Sequence, residues 1–185
     1  MPTSPLHAAP TARVALLHGA GYVGGELIRL LAAHPTVTLA AVTSRTYAGQ
    51  PYAAAHPSLR GQVDGPFLAP SDLDLASLDA VVVAAEHGQG MHVVPRLFAD
   101  GFDGIVVDLS ADFRFRDASV YPQWFDVEHA APDWLDEAVY GLPELGAPYP
   151  PDARLVANPG CFATGIALAL APLAAQEAPL TAHIT

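Results

Sequence analysis

The sequence predicts an α/β chain: a doubly wound, mostly parallel sheet followed by the start of a second, α+β unit. Three observations predict it. Short apolar runs at 12–17, 37–43, 80–85 and 104–109 alternate with stretches of helical spacing, and such runs are typical of strands buried on both faces. A glycine-rich turn directly follows the first run. Near residue 154 a new strand, turn and apolar helix begin after a long aperiodic stretch.

Residues 1 to 11 are rich in proline and lack periodicity, so a disordered tail is expected, with order starting near Ala12. The run 12–17 forms the first strand and 22–33 the helix that opens a βαβ unit. Strands follow at 37–43, 80–85 and 104–109, with helical segments at 71–78 and 89–100 between them. Strands separated by helices pair in parallel, with helices on both faces. From 110 to 151 aromatic residues, aspartates and prolines crowd together, and pattern alone resolves only an irregular excursion packed on the sheet. A short strand at 154–157 leads through Asn158-Pro159-Gly160 into an apolar helix at 162–173, which Pro172 should end or kink. The last six residues alternate like the start of a strand.

Composition narrows the function. With 51% apolar residues, 185 residues are enough to build a core without staples. All eight basic residues are arginine, which excludes chemistry built on a lysine Schiff base or a P-loop lysine. A net charge of −11 argues against nucleic acid as a partner. One cysteine precludes an internal disulfide and a multi-cysteine zinc site. The amino terminus lacks a signal-peptide pattern and no run of about 18 apolar residues suggests a membrane span, so a cytoplasmic protein is expected.

Gly19-Ala20-Gly21-Tyr22-Val23-Gly24 matches G-x-G-x-x-G between a strand and a helix. The first glycine permits the tight turn, the second lets a pyrophosphate approach the backbone, and the third allows close packing of helix on strand. The sheet is therefore of the Rossmann type. The second strand ends in Thr43-Ser44-Arg45, where NAD-preferring sites carry an acidic residue. A hydroxyl and a guanidinium suit a ribose 2′-phosphate, which points to NADP rather than NAD. His87 and Gly88 close the third strand at the edge where such sheets bind ligands, and are assigned to the cofactor crevice.

Cys161 stands just past a Pro-Gly turn at the start of a helix, whose dipole and free N–H groups favour the thiolate. A thiolate beside a nicotinamide can displace phosphate from an acyl phosphate, and hydride delivery to the thioester then gives an aldehyde. That reaction needs an acid-base group, yet His18, His34, His56, His92, His129 and His183 are better read as surface or packing residues. Asp72, Asp74 and Asp79 lack the glycine and glutamate of a calcium loop and are read as helix caps and solvated surface. The segment 108–114, Asp-Leu-Ser-Ala-Asp-Phe-Arg, either borders the crevice or bonds locally.

Taken together, GAGYVGGEL at 19–27, AAEHG at 84–88, DLSADFR at 108–114, YGLPE at 140–144 and NPGCFAT at 158–164 resemble the N-acetyl-γ-glutamyl-phosphate reductase family of arginine biosynthesis. The resemblance covers nearly everything after the tail. It implies an NADP-binding Rossmann domain over 12–157 and the beginning of a catalytic and dimerisation domain over 158–185, related to aspartate-semialdehyde dehydrogenase. It further implies reduction of a small-molecule acyl phosphate to a semialdehyde by NADPH in a homo-oligomeric full-length protein, with Cys161 as nucleophile. By the same resemblance Gly19 to Gly24, Ser44, Arg45, His87 and Gly88 line the NADP site, and Asn158 and Arg114 contact substrate or phosphate. The family's catalytic histidine lies well beyond its cysteine, in a segment with no match here, so this chain alone is expected to be inactive as a reductase. Two other readings remain: a reductase of carrier-linked aminoadipate phosphate in lysine biosynthesis, and a Rossmann module without catalysis.

Overall fold

A computed structural model describes residues 12–146 and 148–174. The expected tail at 1–11 and the terminal strand at 180–185 lie outside the described residues. Six strands form one sheet: β1 (Ala12–Leu17), β2 (Val37–Val42), β3 (Ala80–Val83), β4 (Ile105–Asp108), β5 (Ala138–Tyr140) and β6 (Leu155–Ala157). Their order is β2-β1-β3-β4-β6-β5, and every pairing is parallel. The sheet is thus of the doubly wound, parallel class expected, because each strand returns through helix or loop on one face or the other.

Alternation along β1 divides the core. Leu16 packs with Ile28, Val42, Tyr52, Leu59 and Phe67 on one face. Ala15 and Leu17 join Val81, Val83, Met91, Val94 and Val106 on the other, as a two-residue period demands. Helix α1 (Tyr22–Ala32) covers the first face through Gly24, Leu27 and Ile28, spaced to share one side of a helix. The second face is covered by α3 (Gly90–Ala99), which buries Met91, Val94 and Leu97. Between β2 and β3 lies one short helix, α2 (Tyr52–Ala55).

One expectation is corrected. No helix spans 71–78; the segment forms two 3-10 turns, Pro70–Asp72 and Leu75–Ser77, separated by an extended Leu73. Ser71 Oγ donates to Asp72 Oδ1 at 3.0 Å and Ser77 Oγ to the Asp74 carbonyl at 3.0 Å, local bonds of the kind that compete with helix. Asp79 is exposed, as expected, and its Oδ2 accepts the Arg13 N–H at 2.7 Å, which ties the start of β3 to β1. Helix α5 (Cys161–Ala174) includes Pro172 and runs to the last described residue.

The excursion after β4 contains α4 (Val120–Trp124), a 3-10 turn at Pro132–Trp134 and the edge strand β5, none resolved by pattern. One aromatic contact seats it on α3, and others tie its own segments together. Phe98 stacks on Trp134 at 4.7 Å, Tyr121 lies 4.6 Å from the His129 ring, and Phe113 packs edge-on against His129. Part of the apolar surface stays open. Helix α5 buries no residue, Phe162 is 85% exposed, and Ile105 in β4 is 46% exposed.

Candidate functional site

Register brings the functional loops to one edge. Leu17 pairs with Val83, Val83 with Asp108, and Asp108 with Ala157, so β1, β3, β4 and β6 all end level. The residues that follow these ends are His18 to Gly24, Ala84 to Gly88, Leu109 to Arg114 and Asn158 to Cys161. The chain leaves β1 for β2 on one side, while β3 lies on the other. This is the switch point where open α/β sheets leave a crevice for ligands.

The glycine turn has the geometry its spacing predicts. A Cβ on Gly19 would collide with Val42 Cγ1, and one on Gly24 would collide with the Gly19 carbonyl. Gly21 differs, with nothing within 4 Å of a Cβ, so its face is open to a ligand. It is also the N-cap of α1 and makes no side-chain cap bond, which leaves the helix N–H groups to an anion. The turn is held from behind: Gly19 N–H donates to the Thr43 carbonyl at 2.9 Å, and His56 Nε2–H donates to the Gly19 carbonyl at 2.8 Å. The sequence assigned His56 only to packing or surface, and its hold on the loop depends on a contact 37 residues away.

Cavities line this edge. One of about 280 Å³ is bounded by His18, Ala20, Thr43, Ser44, Arg45, Thr46, Pro70 and Gln89. A larger one of about 640 Å³ adjoins it through His18, Thr43, Arg45, Pro70 and α3. Ser44 is buried and its Oγ accepts the Tyr47 N–H at 3.2 Å, while Arg45 is exposed and forms no ion pair among the described residues. A third cavity of about 480 Å³ joins Val23 to Ala84, Ala85, Glu86, His87 and Leu109. His87 Nδ1 accepts the Ala111 N–H at 2.9 Å, so in the neutral ring Nε2 carries the proton. Gly88 adopts φ +81° and donates its N–H to Asp112 Oδ1 at 2.8 Å. Tyr22 is fully exposed at the start of α1. These features fit a dinucleotide, with an open pyrophosphate turn at the centre, a cationic pocket on one side and a histidine-bearing pocket on the other.

The 108–114 segment turns out to bond internally. Ser110 Oγ donates to Asp108 Oδ2 at 2.6 Å and accepts the Asp112 N–H at 3.1 Å. Asp108 Oδ1 is buried without a hydrogen-bond partner among the described residues. Burial pushes the Asp108 carboxyl up to about 6, opposed by its bonds to Ser110 and raised a little further by Asp112. Arg114 Nε donates to the Asn158 carbonyl at 2.8 Å and Nη2 to the Leu109 carbonyl at 3.1 Å. Asn158 donates its own N–H to the Asp108 carbonyl at 2.8 Å. Cys161 then opens α5 as an exposed free thiol. Three strand spacings separate β1 from β6, or about 14 Å along the edge from glycine turn to cysteine turn.

A profile of the semialdehyde dehydrogenase NAD-binding domain matches residues 13–148. The chain belongs to the semialdehyde dehydrogenase family. A nicotinamide dinucleotide is therefore the cofactor class of this fold, in agreement with the open glycine turn. Among curated relatives, N-acetyl-gamma-glutamyl-phosphate reductase of Marinobacter nauticus is 45% identical over 89% of this chain and 47% of its own. That of Nitrosococcus oceani is 48% identical over 87% of this chain and 47% of its own. The LysW-L-2-aminoadipate/LysW-L-glutamate phosphate reductase of Saccharolobus solfataricus is 46% identical over 89% and 47%. The chain spans about half the length of these relatives. Aspartate semialdehyde dehydrogenase II of Vibrio cholerae superposes with a TM-score of 0.61 at 17% identity over 88% of this chain and 42% of that one. The Candida albicans aspartate semialdehyde dehydrogenase structure with NADP gives 0.59 at 14%, over 91% and 48%. At such identities these two structures bear on the fold alone. Among the described residues of this family member, no group of His, Cys, Asp and Glu could hold a metal, and no helix is long and apolar enough to cross a membrane.

Proposed function

We propose that this chain is the cofactor-binding half, with the nucleophile, of a cytoplasmic NADPH-dependent N-acetyl-γ-glutamyl-phosphate reductase in arginine biosynthesis. One observation carries the reading: the glycine turn and the exposed Cys161 leave the same edge of one parallel sheet, in register. The 45–48% identity to relatives of that name supports it.

Cys161 attacks the acyl carbon, forming a C–S bond as the C–O bond to phosphate breaks and phosphate leaves. NADPH, when bound, would supply the hydride for reduction of the thioester. Hydride addition would leave a tetrahedral alkoxide, whose collapse breaks the C–S bond, releases the semialdehyde and restores the thiolate. Gly19 to Gly24 would hold the NADPH pyrophosphate, Ser44 and Arg45 its 2′-phosphate, and His87 with Gly88 would shape the nicotinamide side. Arg114 and Asn158 face the substrate's phosphate end, Arg114 with the capacity its two backbone bonds leave.

The carrier-linked reading rests on the Saccharolobus relative, whose 46% identity lies in the same range. A net charge of −11 weighs against docking an acidic carrier. Mixing the protein with N-acetyl-γ-glutamyl phosphate should release phosphate in a single stoichiometric burst and add the acyl mass to the peptide containing Cys161. Cys161→Ser should abolish both. Absence of the adduct in the unmodified protein, or acylation only by a carrier-bound aminoadipyl phosphate, overturns the assignment.

A further inference from the structure

In a chain of net charge −11, the cavity of about 640 Å³ is lined by His18, Arg45, His92 and Arg96, with Asp100 as its acidic member. Arg96 Nε pairs with Asp100 Oδ2 at 3.4 Å, so its charge is partly met. Arg45 has no such partner among the described residues. His18 borders this cavity and the smaller one beside the glycine turn, and it reaches both from a left-handed backbone with φ +59°. Side chains rarely take that conformation outside glycine.

We infer that His18 is a specificity-determining residue that takes up a proton when a phosphomonoester seats against Arg45, so that NADP binding is proton-linked and NAD binding is not. The inference rests on the NADP reading above. In the free protein burial and then Arg45 lower the ring's pKa, against an opposing pull from Glu86. A phosphate dianion placed between His18 and Arg45 reverses that balance, since an opposite charge at close range favours the imidazolium. The groups facing His18 are Arg45 after β2, Glu86 after β3, and His92, Arg96 and Asp100 on α3. None of them supplies a second anion inside the cavity to match Arg45, apart from Asp100, which Arg96 engages. The phosphate's own second ionisation lies near 6, so binding at neutral pH releases a proton from it, opposite in sign to the uptake by His18.

Calorimetric titration of the protein with NADP⁺ and NAD⁺, in two buffers of different ionisation heat near neutral pH, reads the proton count directly. Net proton uptake is expected with NADP⁺ and none with NAD⁺. Asparagine tolerates the left-handed backbone, so His18→Asn should stay folded. This variant should lose the uptake and weaken NADP⁺ about fivefold near pH 6.5 while leaving NAD⁺ within about twofold. Undiminished uptake in His18→Asn, or its loss in His92→Asn instead, overturns the inference while the NADP reading stands. So does tighter NADP⁺ binding with no uptake in the unmodified protein. If NADP⁺ binds no tighter than NAD⁺, the cofactor reading itself fails and this inference fails with it.

Discussion

Asp112 caps a helix that begins 22 residues before it: its Oδ2 accepts the Met91 N–H at 2.9 Å, and its Oδ1 accepts that of Gly88 at 2.8 Å. The N-cap of α3, Gln89, makes no side-chain cap bond of its own. A buried carboxylate therefore satisfies the donors and meets the helix dipole from a separate loop. Asp112→Ala should lower stability by about 2 kcal/mol, and Asp112→Asn by roughly half as much because one amide oxygen still accepts. Urea denaturation checks this; equal midpoints for the three proteins would remove the cap from the account.

Gly21 and Gly24 look alike in the sequence but differ in what surrounds them. A Cβ on Gly24 meets the Gly19 backbone, which cannot yield, whereas one on Gly21 meets nothing within 4 Å. Gly24→Ala should cost about 2 kcal/mol or more of stability. Gly21→Ala, at φ −78° and ψ 171°, should leave stability within about 0.5 kcal/mol but weaken dinucleotide binding more than tenfold. Thermal melts and a nucleotide titration separate the two, and tight binding by Gly21→Ala would show that the pyrophosphate lies elsewhere.

How far the sequence could be read depended on the range of the interactions. Residues 14–17, 80–83 and 105–107 are apolar in runs too short for helix, and these strands were legible because such runs are typical of a parallel sheet. Strand β5 was not, since three residues at a sheet edge owe their conformation to pairing with β6, not to their own periodicity. The glycine turn and Cys161 stood out through local chemistry. His18 and His56 did not, because a histidine's neighbours decide its role: His56 bonds a carbonyl 37 residues away, and His18 matters only where two cavities meet.

Asp108 should make stability depend on pH. Its carboxyl is raised from 3.8 to about 6 in the fold, chiefly by burial, so the folded state prefers the protonated form. Its contribution is fully present below about pH 4 and is lost as pH rises through about 6, after which the loss stays constant. The loss amounts to roughly 3 kcal/mol across that window. Asp108→Asn keeps an oxygen for Ser110 and removes the ionisation. The stability of Asp108→Asn relative to the unmodified protein should rise between about pH 4 and pH 6 and then level off. A difference that stays flat from acid to neutral pH would mean that the carboxyl ionises freely in place.

Arg114 joins two strand exits, since Nε holds the Asn158 carbonyl after β6 and Nη2 the Leu109 carbonyl after β4. Its third nitrogen lies against Gly160, 3.1 Å from where a Cβ there would sit. Lysine offers one compact ammonium in place of a planar fork, so it cannot hold both carbonyls with the same geometry. Arg114→Lys should therefore loosen the turn that presents Cys161. A loss of about 1–2 kcal/mol is expected, together with an altered rate of Cys161 alkylation by iodoacetamide. Dinucleotide affinity should stay within about twofold, because the glycine turn lies three strands away. If stability and alkylation rate are both unchanged while acyl-phosphate affinity falls, the arginine acts on the substrate directly and the turn is held by Asn158 and Asp108 alone.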